Sequence, residues 1–380
     1  MTKIEQLLVE LCPNGVEYKT VQESVGVNRG KRLTKSQLSD TGKYEVYHGS
    51  KDSILGKYTQ SNAPANTTII VNTGGIGGVK FLKDPFWCSD GSFWLGQSDS
   101  VNSKYLYYCL SGYEDYFYER KRDGGVPTID KSVIADFKIP IPPIPVQEEI
   151  VRILDELTEK TEELISGLKA ELEARKKQYE HYKNKLMSVD SANIFKLGDI
   201  AFICDGTHQT PHYTDSGVKF ISVENINDIF NTTKYISKVD YDKYKVKPQI
   251  GDVFMTRIGS IGKCAVLDKQ EDLAYYVTLA LIRPNQNIVI SKYLKYVIES
   301  MVGAKELRKR TLLNAVPIKI NKDDIGKIEL PIPSIKSQEK IVAQIEKYDI
   351  EFDMLIRSIS NEIENRKKQY EYYRDKLLTF

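Results

Sequence analysis

The sequence lacks the features that mark membrane, secreted and disulfide-stabilised proteins. No stretch approaches the roughly 18 uninterrupted apolar residues of a membrane-spanning helix, and Glu5 stands where a secretory signal peptide would carry bases. The five cysteines lie far apart and form no Cys-x-x-Cys pair, which argues against disulfides and against a zinc site. We therefore expect a cytoplasmic chain with reduced thiols, no metal ion and no membrane association.

Catalytic motifs are missing as well. The sequence has no GxxxxGK[ST] phosphate loop, no HExxH zinc motif and no Asn-Pro-Pro-Tyr-like or Asp-Pro-Pro-like methyltransferase pocket. None of its four histidines is convincingly paired with a nucleophile. The net charge is only +2, so any nucleic-acid site must be a local patch. We expect that this chain is not an enzyme by itself.

What the sequence does contain is an internal repeat. Its 380 residues are too many for one ordinary core, and the segment Lys138–Glu148 returns as Glu329–Glu339. The same offset (338 minus 147, or 191 residues) carries Arg175–Glu180 onto Arg366–Glu371 without a gap. The chain therefore consists of two related halves, each closing with the same segment.

Each repeated segment predicts one long amphipathic helix. Apolar residues recur mostly at alternating steps of three and four, and a helix from about Val146 to Met187 would be roughly 60 Å long. Two steps of four from Leu164 to Leu172 make a stutter. Two independent helices lying on separate cores remain an alternative, but the narrow stripe favours pairing. The predicted helix-pair interface consists of Ile150, Leu154, Leu157, Leu164, Leu168, Leu172, Tyr179, Leu186, Ile341, Ile345, Phe352, Leu355, Ile359, Ile363, Tyr370 and Leu377.

The order head, helix, head, helix favours antiparallel pairing, because parallel helices would need a connection of roughly 60 Å. Short β-rich runs mixed with helical patterns indicate an α+β fold, and weak matches between the globular segments suggest one fold with diverged loops. We predict two similar globular heads separated by an antiparallel coiled coil in a pseudo-twofold, near-circular arrangement. The predicted boundaries are 1–138 and 189–329 for the heads, and 139–188 and 330–380 for the helices.

At this point the chain resembles the specificity subunit of type I restriction-modification systems. The resemblance rests on the paired Ile-Pro-Ile-Pro-Pro and Leu-Pro-Ile-Pro-Ser entries with Gln147 and Gln338, the two Arg-Lys-Lys-Gln-Tyr helices, and the segments Leu11–Tyr18 and Cys204–Tyr213. It implies two target-recognition domains that each read half of a bipartite sequence in double-stranded DNA. It also implies two methyltransferase subunits and restriction or translocase subunits as partners. S-adenosylmethionine, Mg²⁺ and ATP would belong to those partners, with no cofactor in this chain.

In the second head, a polar loop punctuated by glycine and proline is the main candidate for DNA contact, because its side chains suit base edges and phosphates. A second candidate is a glycine-containing turn, although a plain tight turn is an equally good interpretation. The residues concerned are Thr207, His208, Gln209, Thr210 and His212 in the loop, and Arg257 and Ser260 in the turn.

In the first head, a basic loop occupies the comparable place after the opening strand. Its cations can neutralise phosphates or bind guanine, while a solvated basic loop is the alternative. The predicted contacts are Arg29, Lys31, Arg32, Lys35, Tyr47, His48 and Lys51, with Thr73 in a glycine-rich turn. Each head also has one basic cluster before a Val-Pro pair. These two clusters are candidates for contact with the DNA backbone, and the alternative is that they are simply solvated faces. They are Lys121 and Arg122, and Arg308, Lys309 and Arg310.

One alternative of a different class remains open, a coiled-coil adaptor or scaffold that holds other proteins and never touches DNA. Salt-dependent binding to duplex DNA distinguishes the two.

Overall fold

A computed structural model of the chain describes residues 2–122, 124–188 and 192–380. The chain forms two compact units, one made of Met1–Lys169 with Ser360–Phe380 and the other of Ala170–Ile359. The predicted first residues of the two heads, Met1 and Val189, lie outside the described residues.

The first head is an α+β domain. Its strands are β1 (Glu17–Thr20), β2 (Val27–Arg29), β3 (Tyr44–Tyr47), β4 (Gly56–Tyr58), β5 (Thr67–Val71), β6 (Val79–Leu82), β7 (Trp87–Cys88), β8 (Ser92–Leu95) and β9 (Lys138–Ile141). Its helices are α1 (Lys3–Leu11), α2 (Val21–Ser24), α3 (Ser103–Ser111), α4 (Glu114–Glu119) and α5 (Lys131–Ala135), followed by the long α6 (Ile144–Met187). A 3₁₀ turn spans Lys35–Gln37.

The second head has a matching set of elements. Its strands are β10 (Asn193–Lys196), β11 (Ala201–Asp205), β12 (Tyr213–Thr214), β13 (Val218–Ile221), β14 (Tyr235–Ile236), β15 (Val253–Thr256), β16 (Cys264–Val266), β17 (Leu273–Tyr275), β18 (Leu279–Pro284) and β19 (Glu329–Ile332). Its helices are α7 (Leu197–Ile200), α8 (Lys238–Asp242), α9 (Ser291–Glu299), α10 (Met301–Arg310) and α11 (Lys322–Ile325), followed by α12 (Ile335–Leu378). A 3₁₀ turn spans Val223–Asn225.

The two heads share one sheet topology. The main antiparallel sheet has the order β2-β8-β5-β6 in the first head and β11-β18-β15-β16 in the second. Each head also has a smaller sheet with one parallel pair, β3 with β7 and β13 with β17. The apolar, largely β-branched strands β5 and β15 are fully buried at the centre of their sheets. The predicted α+β fold with two similar heads is confirmed.

The predicted helix from about Val146 to Met187 is close to the observed α6, but the segments assigned to the spacers begin several residues before the helices. The segments beginning at 139 and 330 fall within strands β9 and β19, which pair antiparallel with β1 and β10. Pro140 and Pro331 explain the difference, because a proline inside a helix removes a hydrogen bond and clashes with the preceding turn. The helices themselves begin at Ile144 and Ile335.

The repeated glutamines fasten each long helix to its own head. Gln147 donates from Nε2 to the carbonyl oxygens of Ser100 (2.9 Å) and Pro142 (2.7 Å), and its Oε1 accepts the N–H of Asn102 (2.8 Å). Gln338 makes the same three bonds in the second head, at 2.8, 2.8 and 2.9 Å. Both side chains are fully buried. The same three hydrogen bonds therefore explain why a glutamine stands at this position in each half.

The long helices pack against one another within each unit. In the second unit the ring of Tyr179 stacks on Phe352 with centroids 4.4 Å apart, and the Tyr182 and Tyr348 rings lie 6.3 Å apart. Residue numbers rise along α6 while they fall along α12, so the pairing is antiparallel, as predicted. In the first unit, where the start of α6 meets the end of α12, Thr158 donates a hydrogen bond to the Tyr370 hydroxyl (3.2 Å).

The predicted interface residues have three different environments. Five are buried, namely Ile150, Leu154, Ile341, Ile345 and Ile359. Ten are half-buried, namely Leu157, Leu168, Leu172, Tyr179, Leu186, Phe352, Leu355, Ile363, Tyr370 and Leu377. Leu164 is wrong as an interface residue because its exposed fraction is 52%. It lies at the stutter, where each step of four rotates the stripe about 40° around the helix.

Several of these residues belong to the cores of the heads rather than to the helix pair alone. Ile150, Leu154, Leu157 and Leu377 pack in the core of the first head. Leu186, Ile341 and Ile345 pack in that of the second. Each helix starts directly on its head, so its first turns must cover apolar surface there.

Candidate nucleic-acid interface

In the second head, three loops meet at one end of the main sheet. They are the loop of residues 205–213 after β11, the turn of residues 257–262 after β15, and the connection of residues 311–319. The Thr207 N–H donates to the carbonyl oxygen of Tyr275 at the end of β17 (3.0 Å), while Asp205 of the same loop contacts Arg257 of the turn. The Ile320 N–H donates to the carbonyl oxygen of Arg257 (3.0 Å). Antiparallel pairing explains the meeting, because β11 and β15 flank β18 and both end where β18 begins.

A buried ion pair joins these loops. The guanidinium of Arg257 contacts the carboxylate of Asp205, and its Nε donates to the carbonyl oxygen of Ile320 (3.2 Å). Arg257 is only 7% exposed, so the predicted DNA contact by this residue is wrong. Its charge is already neutralised inside the head, and its role is to position the loops.

The loop of residues 205–213 presents its other side chains to solvent. His208 is 72% exposed, and its Nε2 lies 3.8 Å from Asp205. Gln209, Thr210 and His212 are also exposed, while Thr207 stabilises the turn by accepting the N–H of Gln209 (3.3 Å). This loop therefore exposes hydroxyl, amide and imidazole groups that make few hydrogen bonds within the protein and can bind another molecule.

A cleft of about 620 Å³ runs beside this loop. Its opposite wall carries Lys243, Tyr244 and Lys245 from the turn after α8. Lys245 is exposed, and within the described residues it has no ion-pair partner. The sequence analysis missed these residues, because nothing in the pattern between β14 and β15 connects them with residues 205–213.

Matching glycines fix where the loop leaves the sheet in each head. A Cβ on Gly30 would lie 1.9 Å from the carbonyl oxygen of Ser89, and one on Gly206 would lie 2.5 Å from that of Tyr275. The following residue makes an equivalent bond in both heads, since the Lys31 N–H donates to the Cys88 carbonyl oxygen (2.9 Å). Lys31 therefore corresponds to Thr207, and the two loops can be compared position by position.

The first head exposes cations where the second exposes neutral polar groups. Arg29, Lys31, Arg32 and Lys35 are all exposed. In the part of the chain that the structure describes, none of these four takes part in an ion pair. Cations free of acidic partners are suited to phosphate or guanine.

Three neighbouring predictions in the first head need qualification. Tyr47 is buried and donates to Glu45 (2.6 Å), so it is wrong as a DNA contact. Burial raises the pKa of its hydroxyl, and the bond to Glu45 raises it further. Lys51 is half-buried and paired with Glu114 at 2.7 Å. His48 is half-exposed, and its Nδ1 lies 3.2 Å from the Gly91 nitrogen and 3.3 Å from a carboxylate oxygen of Asp90.

The glycine turns match between the heads. Gly74 and Gly259 have φ of 77° and 79°, and Gly77 and Gly262 have φ of 85° and 91°, a region that favours glycine. Ser260 is exposed at the tip of its turn, whereas Thr73 is half-buried and bridges to Thr128.

The basic clusters are partly neutralised. Arg122 pairs with Asp130, and Lys121 lies over the ring of Tyr118 (3.8 Å). Lys309 and Arg310 both contact the buried Glu306. Burial alone would raise the pKa of Glu306, but hydrogen bonds from Lys309, the Glu329 N–H and Arg310 outweigh it and lower the pKa. Arg308 is exposed beside the turn of residues 257–262.

Two kinds of site are not found in residues 2–122, 124–188 and 192–380. No group of three or more His, Cys, Asp or Glu side chains is placed to hold a metal ion. None of the helices in these ranges combines the length and the apolar character that a membrane-spanning segment requires.

Comparison with known proteins agrees with the repeated architecture. Residues 13–174 and 190–365 each match the type I restriction modification DNA specificity domain. The specificity subunit of the EcoR124I/EcoR124II type I restriction enzyme of Escherichia coli is 29% identical over 100% of this chain and 97% of its own. Among solved structures, a chain from a study of assembly and conformational transition in a type I R-M system superposes with a TM-score of 0.74 at 15% identity, covering 96% of this chain and 98% of its own. The HsdS subunit from Thermoanaerobacter tengcongensis gives 0.58 at 18%, covering 96% and 97%.

Proposed function

Because the chain belongs to the type I restriction-modification DNA specificity family, we propose that each head reads one half of a bipartite, asymmetric DNA target. The chain is a specificity subunit with two target-recognition domains. The finer assignment, one half-site to each head, is the proposal.

One observation carries this proposal. The two heads have the same sheet order and present equivalent loops at the same end of the sheet, but the side chains on those loops differ. Lys31 and Arg32 stand where the second head has Thr207 and His208. Cationic forks prefer guanine and phosphate, while hydroxyl and imidazole groups suit other base edges. Two unlike reading surfaces on one scaffold fit two unlike half-sites.

The partners and chemistry are also part of the proposal. The helical pair would set the gap between the half-sites and dock two methyltransferase subunits, with restriction or translocase subunits joining that core. The chain itself would be non-catalytic, and S-adenosylmethionine, Mg²⁺ and ATP would act on the partners. The working compartment would be the cytoplasm. A DNA-free adaptor is not favoured, because an adaptor has no need for exposed cations without acidic neighbours at the loop end of the sheet.

Salt-dependent binding to duplex DNA tests the proposal. The purified chain, alone and with a methyltransferase partner, is titrated onto labelled duplex at several salt concentrations. We expect affinity to fall steeply with salt, because each neutralised phosphate adds about 0.9 to the slope of log K against log salt. Replacing Lys31 and Arg32 by alanine should reduce that slope by roughly 2.

Lys138→Ala is the matched control, since this exposed lysine lies on β9, in the two-stranded sheet with β1, and belongs neither to the main sheet nor to the candidate loops. It should leave the slope unchanged. An absence of binding in both states, with and without the partner, would contradict the proposal and restore the adaptor reading.

A further inference from the structure

The second head carries an exposed apolar loop whose role the proposed reading surfaces do not explain. Leu312, Leu313, Val316 and Ile318 are 43%, 55%, 100% and 40% exposed. A folded head normally buries side chains of this size, and a contiguous exposed set indicates a surface that meets another molecule. We call residues 312–318 the wedge loop.

The wedge loop is a supported hairpin. Its base is closed by the Leu312 N–H, which donates to the carbonyl oxygen of Lys319 (2.8 Å). A second bond runs from the Gly259 N–H to the carbonyl oxygen of Ile318 (2.8 Å). Residues 313–316 therefore project from a fixed base beside the other two loops of the candidate interface.

The charges around the wedge loop fit a polyanion. Residues 311–322 contain no acid. Lys263, Arg308 and Lys319 are exposed nearby, and none of the three forms an ion pair among the residues that the structure describes. An apolar tip with a cationic rim is the arrangement by which proteins wedge apolar side chains between base pairs while they hold the phosphates.

The first head provides a contrast. Its equivalent hairpin is closed by the bridge between Arg122 and Thr128, as Leu312 and Lys319 close the wedge loop. Its sequence there includes Gly124, Gly125 and Pro127, and Val126 is the one large aliphatic residue between the bridge partners. The two heads therefore differ in the number of large aliphatic side chains that they carry on equivalent hairpins.

We propose that Leu313 and Val316 of the wedge loop insert between base pairs of the half-site read by the second head and unstack one base step, while the first head leaves its half-site stacked. This inference rests on the proposed function, because it requires that the head lies on DNA. It adds a recognition mechanism, since the cost of opening a step depends on sequence and can select bases that no side chain contacts.

The test is fluorescence of base analogues in the assembled complex. The target is first identified by methylome sequencing of cells that express the chain with its methyltransferase partner. Duplexes then carry a single 2-aminopurine or pyrrolocytosine at successive positions of both half-sites, because both analogues brighten when they unstack. We expect a rise of about threefold or more at one step of the second head's half-site.

The Leu313→Ser/Val316→Ser variant should lose this rise. Its affinity should fall by only about tenfold, with an unchanged salt slope, because the cations that hold phosphate are retained. Val239→Ser is the matched control, a 70% exposed valine on α8 of the same head, and should keep both the rise and the affinity. Methyltransferases flip their target base, but that signal would not depend on Leu313 or Val316.

The outcomes separate the inference from the function on which it rests. Binding without unstacking by the wild type, or unstacking that persists in the double variant, overturns the wedge and leaves the proposed function intact. Loss of assembly with the methyltransferase partner in the double variant, with unstacking preserved, makes the loop a protein-docking surface and also overturns the wedge. Absence of any DNA binding overturns the proposed function itself.

Discussion

Asp205 and Arg257 show how a difference at two positions changes the surface of two heads with the same fold. In the second head they form a buried ion pair that joins two loops, while the equivalent positions in the first head hold Arg29 and Asn72. The correspondence follows from the backbone, because Ile129 donates to the carbonyl oxygen of Asn72 (3.0 Å) as Ile320 does to that of Arg257. Because Asn72 carries no charge, Arg29 has no ion-pair partner at this position and is exposed to solvent. The differences at these two positions therefore place an exposed cation at the start of the loop in the first head only.

Removing one member of this ion pair should destabilise the second head. Asp205→Asn leaves the buried Arg257 without a counter-charge, and we expect the free energy of unfolding to fall by about 3 kcal/mol. Urea denaturation of the wild type and the variant measures the change. Adding Arg257→Asn, which copies the first head, should recover part of the loss because the two positions interact. Strictly additive losses would contradict the coupling.

At the scale of elements, the long helices are anchored by polar groups that hydropathy patterns do not reveal. Gln147 is fully buried and makes three hydrogen bonds to the loop before α3 and the segment before α6. Gln147→Ala should lower the free energy of unfolding by about 3 kcal/mol, because the Asn102 N–H and two carbonyl oxygens lose their partner. Gln178→Ala, at an exposed position of the same helix, is the control and should change stability by less than about 0.5 kcal/mol in a denaturant titration. Equal effects of the two changes would contradict the anchoring role.

The second turn of α6 gives the first head a pH-dependent contact. Hydrogen bonds from Arg152 (2.8 Å) and Lys3 (2.7 Å) lower the pKa of Glu149 from 4.5 to about 2. Since the folded state favours the carboxylate, this contribution is complete above pH 4.5 and is lost as pH falls toward 2. Glu149→Gln should therefore flatten the stability profile between these values, measured by denaturant titration at each pH. Glu148→Gln, at an exposed neighbouring position, should keep the wild-type profile, and a wild-type profile in Glu149→Gln would refute the contact.

The sequence predicted long elements better than it predicted contacts. The helices and the duplication follow from apolar spacing and a constant offset, which are local properties. The burial of Tyr47 and Arg257 depends on partners distant in sequence, Phe86 for the ring of Tyr47 and Ile320 for Arg257. No residue pattern near Arg257 predicts that Asp205 lies against it. The exposure of cations such as Lys31 was easier to predict, because few tertiary contacts bury such side chains.

At the scale of the whole molecule, duplication supplies one scaffold twice and sequence divergence makes the two loop faces different. The cores that hold the loops, with strands β5 and β15 at their centres, keep the same topology. Their loops carry cations in one head and hydroxyl, amide and imidazole groups in the other. Under the proposed function, this separation of scaffold from surface would allow one chain to specify an asymmetric target.

The central claim, that each head reads its own half-site, is tested most directly by methylome sequencing. The chain is expressed with its methyltransferase partner as wild type, as Lys31→Ala/Arg32→Ala and as His208→Ala/Gln209→Ala. The wild type should methylate one motif with two specified halves and an unspecified spacer. Each variant should relax the bases of a different half and leave the other half and the spacer length unchanged. A motif in which both halves relax together in either variant, or one continuous motif without a spacer, would contradict the account.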